Sequence, residues 1–315
     1  MKENILIHIS AFNANIYLEE IKKLFPEIKL SCSKSNESHD RLYDCDILIG
    51  FGPGLNDMIF NRNKNLKFVQ SLGTGVDGIA DRSGLSKSVP VSSMRGIHGP
   101  QMSELAFMMM LSLNRNFPRL IENQKKRRWE RNPPQVLYKK TIGLLGVGLI
   151  AESLARRCKA FDMKVVGISN SNRQVENIDE MRSRNSLINA VKDLDYLVIL
   201  APLTPENKNL VNDKVIAAMK SSAYLINISR GGVLSDDAII KALKSGIISG
   251  AGLDVFEQEP LPIDSPFWDV PNLIITPHTA GMSEIYVKQA MPIIEKNLLA
   301  FINDKPDEFV NLVKR

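Results

Sequence analysis

The chain has 315 residues, 44% apolar and 24% charged, with a formal net charge of +5. That length suffices for two domains with buried cores, and the composition is that of a globular protein in water. No stretch approaches the roughly 18 consecutive apolar residues of a membrane helix, so no membrane partner is expected.

The start, Met1-Lys2-Glu3-Asn4-Ile5-Leu6-Ile7, passes directly into a strand-like run with no apolar h-region or cleavage site, which predicts no signal peptide. Strands are predicted over 5–9, 46–50, 66–71 and 89–92, and Ile16–Leu24 has helical apolar spacing. Pro100–Leu113 reads as one almost wholly apolar helix with Pro100 in its first turn, and such a helix must be buried on several sides. The stretch 115–140 is polar and basic, carries Pro133-Pro134, and reads as an arm or linker. Its densest run, Lys125-Lys126-Arg127-Arg128, is a solvated helix face rather than a polyanion site, so no nucleic-acid partner is expected. Further strands are predicted over 141–146, 164–169, 196–201, 223–229, 249–254 and 273–276, then a last helix over 283–303. Alternation of strands and helices predicts parallel sheets with right-handed crossovers, and two sets of strands imply two α/β domains.

Cys32, Cys45 and Cys158 form no CxxC, which predicts isolated thiols in a reduced cytoplasmic protein. No His, Cys and Asp cluster has metal-ligand spacing, so no metal is expected. His8 and His39 have no chemical context, and His98 reads as a structural residue.

Lys140–Ala155 reads as a strand, a tight turn and a helix. Gly146 would make the turn, Gly148 would let the backbone approach a pyrophosphate, and Ala151 in place of a third glycine still permits close helix packing. The amides of the helix start, around Leu149 and Ile150, and the helix dipole would then hold the phosphates. NAD-binding folds carry Asp or Glu about 20 residues further on, to bind the ribose hydroxyls. Here the next strand ends in Ser169, followed by Asn170-Ser171-Asn172-Arg173. Hydroxyls, amides and a guanidinium, with no carboxylate in the segment to repel a 2′-phosphate, favour NADP(H) over NAD(H).

Arg230 follows a strand, at the carboxyl edge where parallel sheets bind ligands, and its planar fork suits a carboxylate and an adjacent ketone. Glu259 precedes His278 by 19 residues. Should the two meet, the carboxylate would orient the imidazole and favour its protonated form, making His278 a general acid for carbonyl reduction and a general base in reverse.

With these motifs in this order, the chain resembles the D-isomer-specific 2-hydroxyacid dehydrogenases over nearly its whole length. The resemblance places Arg230, Glu259 and His278 in that family's catalytic signatures. It implies cofactor contacts at Pro202, in Leu200–Glu206, and at Ile228, Asp254, His278 and Gly281, with Asp254 near the nicotinamide carboxamide. It places Ser71–Asp77 as the substrate loop, where backbone N–H groups near Thr74 and Gly75 would hold a carboxylate. It implies a Rossmann cofactor domain, 100–283, with a dimerisation helix and arm at 100–140. It also implies a discontinuous, flavodoxin-like substrate domain, 1–99 with 284–315, and no regulatory domain after the last helix. The expected reaction is reduction of a small 2-keto acid to the D-2-hydroxy acid, or the reverse, by a homodimer. Formate dehydrogenases of the same superfamily carry Gln where Glu259 stands. Dinucleotide-sensing co-repressors resemble the family but bear disordered tails. Met102-Ser103-Glu104 departs from the common Val-Ala-Glu.

Overall fold

The computed structural model describes residues 5–35, 37, 40–171 and 173–315, so His39 and Asn172 lie outside the described residues. In chain order the elements begin with β1 (Leu6–Ser10), α1 (Ala14–Leu24), β2 (Lys29–Ser33), β3 (Ile47–Gly50), α2 (Asp57–Arg62), β4 (Phe68–Ser71) and β5 (Val91–Ser92). Next come α3 (Gly99–Asn114), α4 (Phe117–Lys125), β6 (Thr141–Leu145), α5 (Leu149–Ala160), β7 (Lys164–Ile168), β8 (Glu180–Arg182), α6 (Leu187–Ala190) and β9 (Tyr196–Ile199). The chain ends with α7 (Asp213–Ala217), β10 (Tyr224–Asn227), α8 (Asp236–Lys244), β11 (Gly250–Leu253), β12 (Leu273–Ile275) and α9 (Tyr286–Ile302). Two compact units result, Met1–Ile97 with Ser283–Arg315, and His98–Met282.

The first unit is a five-stranded parallel sheet in the order β2-β1-β3-β4-β5. Side chains of β3 alternate between two cores: Ile47 and Ile49 pack with α1 and α9, and Leu48 packs on the opposite face with Ile59 and Phe60 of α2. Burial on both faces explains why this strand reads as an unbroken apolar run. His8 is fully buried in β1, and its ring nitrogens meet the hydroxyls of Ser31 and Ser33 at 2.9 and 3.0 Å.

The second unit is a seven-stranded parallel sheet in the order β12-β11-β10-β9-β6-β7-β8. From β6 the chain builds outward through β7 and β8, then returns to lay β9 on the other side of β6. That reversal is the switch point at which doubly wound sheets leave a crevice beyond their carboxyl ends. Helix α3 lies against β10, β11 and α5, and Gly252 makes room for it: a Cβ there would sit 2.7 Å from the Met109 sulfur.

Three elements depart from the sequence expectation. Strands β2 and β8 were not foreseen; both are sheet edges, and their sequences, Lys-Leu-Ser-Cys-Ser and Glu-Met-Arg, lack an apolar run. The segment 115–140, expected as an arm, contains α4, entered through Asn116 in a left-handed conformation at φ 50°. The basic run closes α4 and continues past it, with Lys125 paired to Glu122 at 3.0 Å. The three cysteines are unpaired, and among the described residues no group of three or more His, Cys, Asp or Glu gathers to hold a metal. No described helix is long and apolar enough to cross a membrane.

Candidate active site

The carboxyl ends of β6, β7, β9, β10, β11 and β12 share one edge of the seven-stranded sheet, because all six strands run parallel. The chain leaves β6 through Gly146, whose φ of +100° disfavours a side chain and whose Cβ would strike the Ala201 amide at 2.6 Å. Gly148 is extended, and a Cβ there would meet nothing within 4 Å, so its open side faces away from the fold. The amides of Gly148, Leu149 and Ile150 have no acceptor among the described residues, and the first bond of α5 runs from Glu152 N–H to Gly148 C=O at 3.0 Å. An open glycine beside free amides at a helix start suits a dinucleotide pyrophosphate. Ala151 is fully buried, as close packing of α5 on the sheet requires.

Past the end of β7, the Ser169 amide donates to Arg182 C=O at 3.0 Å, and its hydroxyl accepts from the Ser171 amide at 3.1 Å. The Asn170 side chain donates to Asn185 Oδ1 at 3.1 Å. Arg173 is laid back across the glycine turn: Nη2 donates to Val147 C=O at 3.1 Å and to Glu152 Oε1 at 2.7 Å. The sequence shows no carboxylate in Ser169–Arg173. The fold brings one to Arg173 from the first turn of α5.

Arg230 follows β10, held by its carbonyl, which accepts from Asn227 Nδ2 at 2.9 Å. Its guanidinium is half-buried, donates to Ser229 C=O at 2.7 Å, and acts electrostatically on Glu259. His278 Nδ1 lies 2.6 Å from Glu259 Oε2, and Glu259 Oε1 accepts from the Phe256 amide at 2.9 Å. Burial raises the Glu259 carboxyl, but the hydrogen bonds from His278 and Phe256 and the charges of His278 and Arg230 outweigh it and hold the group below the usual carboxylate range. The three residues proposed from sequence as catalytic are thus brought together.

Asp254 is fully buried and holds the histidine loop. Its Oδ1 accepts from Thr276 Oγ1 at 2.5 Å and from the Thr279 amide at 2.9 Å, and its Oδ2 accepts from the Ala280 amide at 2.9 Å. This cage supports His278, which sits at φ +53°, a conformation a β-carbon disfavours. Sequence reasoning missed this use of Asp254; the hydroxyls of Thr276 and Thr279 were the available signal.

Pro202 is exposed beyond β9, with its carbonyl accepting from Asn207 Nδ2 at 3.0 Å. Ile228 is buried, which leaves its backbone as the group to meet a ligand. Gly281 approaches the buried His98 so closely that a Cβ would lie 3.1 Å from the ring. Thr74 and Gly75 belong to the other unit, past the carboxyl end of β4. There the Ser71 hydroxyl accepts from the Gly73 amide at 3.1 Å, and the Gly75 amide has no acceptor among the described residues.

Residues 107–280 match the family model for the NAD-binding domain of D-isomer-specific 2-hydroxyacid dehydrogenases. The chain is 31% identical over 303 residues to glyoxylate/hydroxypyruvate reductase A of Serratia proteamaculans, covering 94% of each. It is 31% identical over 291 residues to a D-3-phosphoglycerate dehydrogenase of Methanocaldococcus jannaschii, where the match takes in 89% of this chain but only 54% of the relative. A solved NADPH-dependent glyoxylate/hydroxypyruvate reductase of Sinorhizobium meliloti, in complex with NADP and sulfate, superposes with a TM-score of 0.85 at 28% identity, covering 99% of this chain and 98% of that one.

Proposed function

The chain belongs to the D-isomer-specific 2-hydroxyacid dehydrogenase family of NAD(P)-dependent enzymes, and from that premise we propose that it reduces a small 2-keto acid of the glyoxylate or hydroxypyruvate type to the D-2-hydroxy acid. The observation that carries this reading is the 2.6 Å His278–Glu259 pair, set with Arg230 on the sheet edge that also bears the open glycine turn.

A nicotinamide dinucleotide held by the turn at Gly146 and Gly148 and the amides of Leu149 and Ile150 would supply the hydride. Arg230 binds the substrate carboxylate and polarises the neighbouring carbonyl. With Nδ1 engaged by Glu259, His278 presents Nε2 to the carbonyl oxygen and delivers the proton that turns alkoxide into alcohol; in oxidation the same nitrogen takes the proton back. Glu259 keeps the ring in register and offsets its positive charge. A carboxylate at this position suits hydroxy-acid chemistry, in which a proton moves with the hydride.

NADP(H) is favoured over NAD(H), because Ser169 supplies no carboxylate against a 2′-phosphate and Arg173 is a cation within the same loop; the Sinorhizobium relative is itself NADPH-dependent. The assembly in this reading is a two-fold homodimer through α3, α4 and the arm, where Met108, Leu111, Phe117, Leu120, Val136 and Tyr138 are exposed. Unpaired cysteines accord with a reducing, cytoplasmic setting.

A steady-state screen of glyoxylate, hydroxypyruvate, pyruvate and bulkier 2-keto acids with NADPH and NADH tests the proposal. Reduction of at least one is expected, with the D product wherever the hydroxy acid is chiral, as it is for every acid of the panel except glyoxylate. Failure with every acid and both cofactors would overturn it.

A further inference from the structure

We propose that Glu152 is a positioning residue that competes with a cofactor 2′-phosphate for Arg173, and so weakens the preference for NADPH that the 169–173 loop would otherwise confer. This rests on the reading that the glycine turn and that loop take a nicotinamide dinucleotide.

Arg173 is the one charged residue in Ser169–Val175, so it is the group in that loop able to form an ion pair with a 2′-phosphate. In the fold its Nη2 is already engaged by two acceptors, the Val147 carbonyl at 3.1 Å and Glu152 Oε1 at 2.7 Å. Both belong to the turn and helix start whose free amides suit the pyrophosphate. Glu152 therefore brings a negative charge to a place where another anion is to be seated. The helix dipole favours both, but they repel each other unless a cation lies between.

Arg173 supplies that cation. With NADH, which has no 2′-phosphate, the pair stays closed and the charge of Glu152 stays neutralised. With NADPH, the phosphate at the end of β7 draws Arg173 away from Glu152. The carboxylate is then left unpaired beside the pyrophosphate. The attraction between Arg173 and the phosphate is offset by loss of the ion pair and by the repulsion that this uncovers. The pair is solvent-accessible, with side chains 49% and 35% exposed, so the competition is modest in size and does not lock the loop.

The test is calorimetric binding of NADPH, NADH, 2′,5′-ADP and 5′-AMP to the full-length protein, which reads the site without turnover. In Glu152→Gln the NADPH-to-NADH affinity ratio is expected to rise by about two- to fivefold, the scale of an exposed ion pair, with the same change in the 2′,5′-ADP-to-5′-AMP ratio. Glu152→Asp, which keeps the charge but withdraws it from Arg173, should move the ratio in the same direction by less. In an Arg173→Gln background, Glu152→Gln should leave the ratio unchanged. A merely structural role for Glu152 would alter both cofactors alike, so equal shifts overturn the proposal. A fall in the ratio, or the same rise without Arg173, also overturns it. Absence of binding by all four ligands in the wild type overturns the dinucleotide reading instead.

Discussion

The backbone N–H of His278 donates to the carbonyl of Asp254 at 2.8 Å, so the end of β11 fixes the height of the imidazole on the neighbouring strand. The Asp254 carboxylate completes the anchor by accepting from the amides of Thr279 and Ala280 at 2.9 Å each. Two amides and the hydroxyls of Thr276 and Thr279 converge on this carboxylate.

Asp254→Asn is therefore expected to impair activity as a loop mutation. An amide nitrogen would face at least one backbone N–H, leaving a buried donor unsatisfied at a cost of about 1–3 kcal/mol. The thermal midpoint should fall and kcat should fall with it, while Asp254→Ala should be worse. A variant with unchanged stability and unchanged kcat would show that the cage does not hold the loop.

His278→Ala should lower kcat for keto-acid reduction by about 10²–10⁴-fold, the usual loss with a general acid. Arg230→Ala should be severely impaired as well, with KM rising because the carboxylate loses its fork. Glu259→Gln should do less, because the amide still meets Nδ1 but carries no charge to offset the imidazolium. Near-normal turnover by His278→Ala would sink the mechanism.

The depressed ionisation of Glu259 has a definite sign in stability. A carboxyl whose folded value lies below its unfolded value, about 4.3, contributes stability above that pH and loses it as pH falls through the folded value. The wild type should thus lose its stability advantage over Glu259→Gln progressively as the pH falls below about 4.3. Urea midpoints of both proteins across that range provide the check; a constant difference would mean that the carboxylate adds nothing as an anion.

The wild type should have a lower KM for NADPH than for NADH, and Ser169→Asp should reverse the order. The new carboxylate would bind ribose hydroxyls and repel a 2′-phosphate. Equal or better kcat/KM with NADH in the wild type would refute the preference without touching the catalytic residues.

Light scattering at micromolar concentration should give twice the 35.2 kDa chain mass. Phe117→Glu with Leu120→Glu, both on the exposed side of α4, should yield monomers. A monomeric wild type would remove the dimer proposal.

What the sequence by itself determined was everything carried by local pattern and burial on two faces. Strands such as Ile47–Gly50 and Tyr196–Ile199 are legible because both faces are covered and every residue is apolar. The turn at Gly146 is legible because its positive φ admits few other residues. The same logic hid β2 and β8, since an edge strand with a wet side needs no apolar run. Only the tertiary structure decided which distant groups meet. Strand order placed Asp254 under the 276–280 loop and folded Arg173 onto Glu152, 21 residues away. Residues at separate strand ends carry no mutual signal along the chain. Their distance is set by which strands are neighbours, and that is a property of the packed sheet.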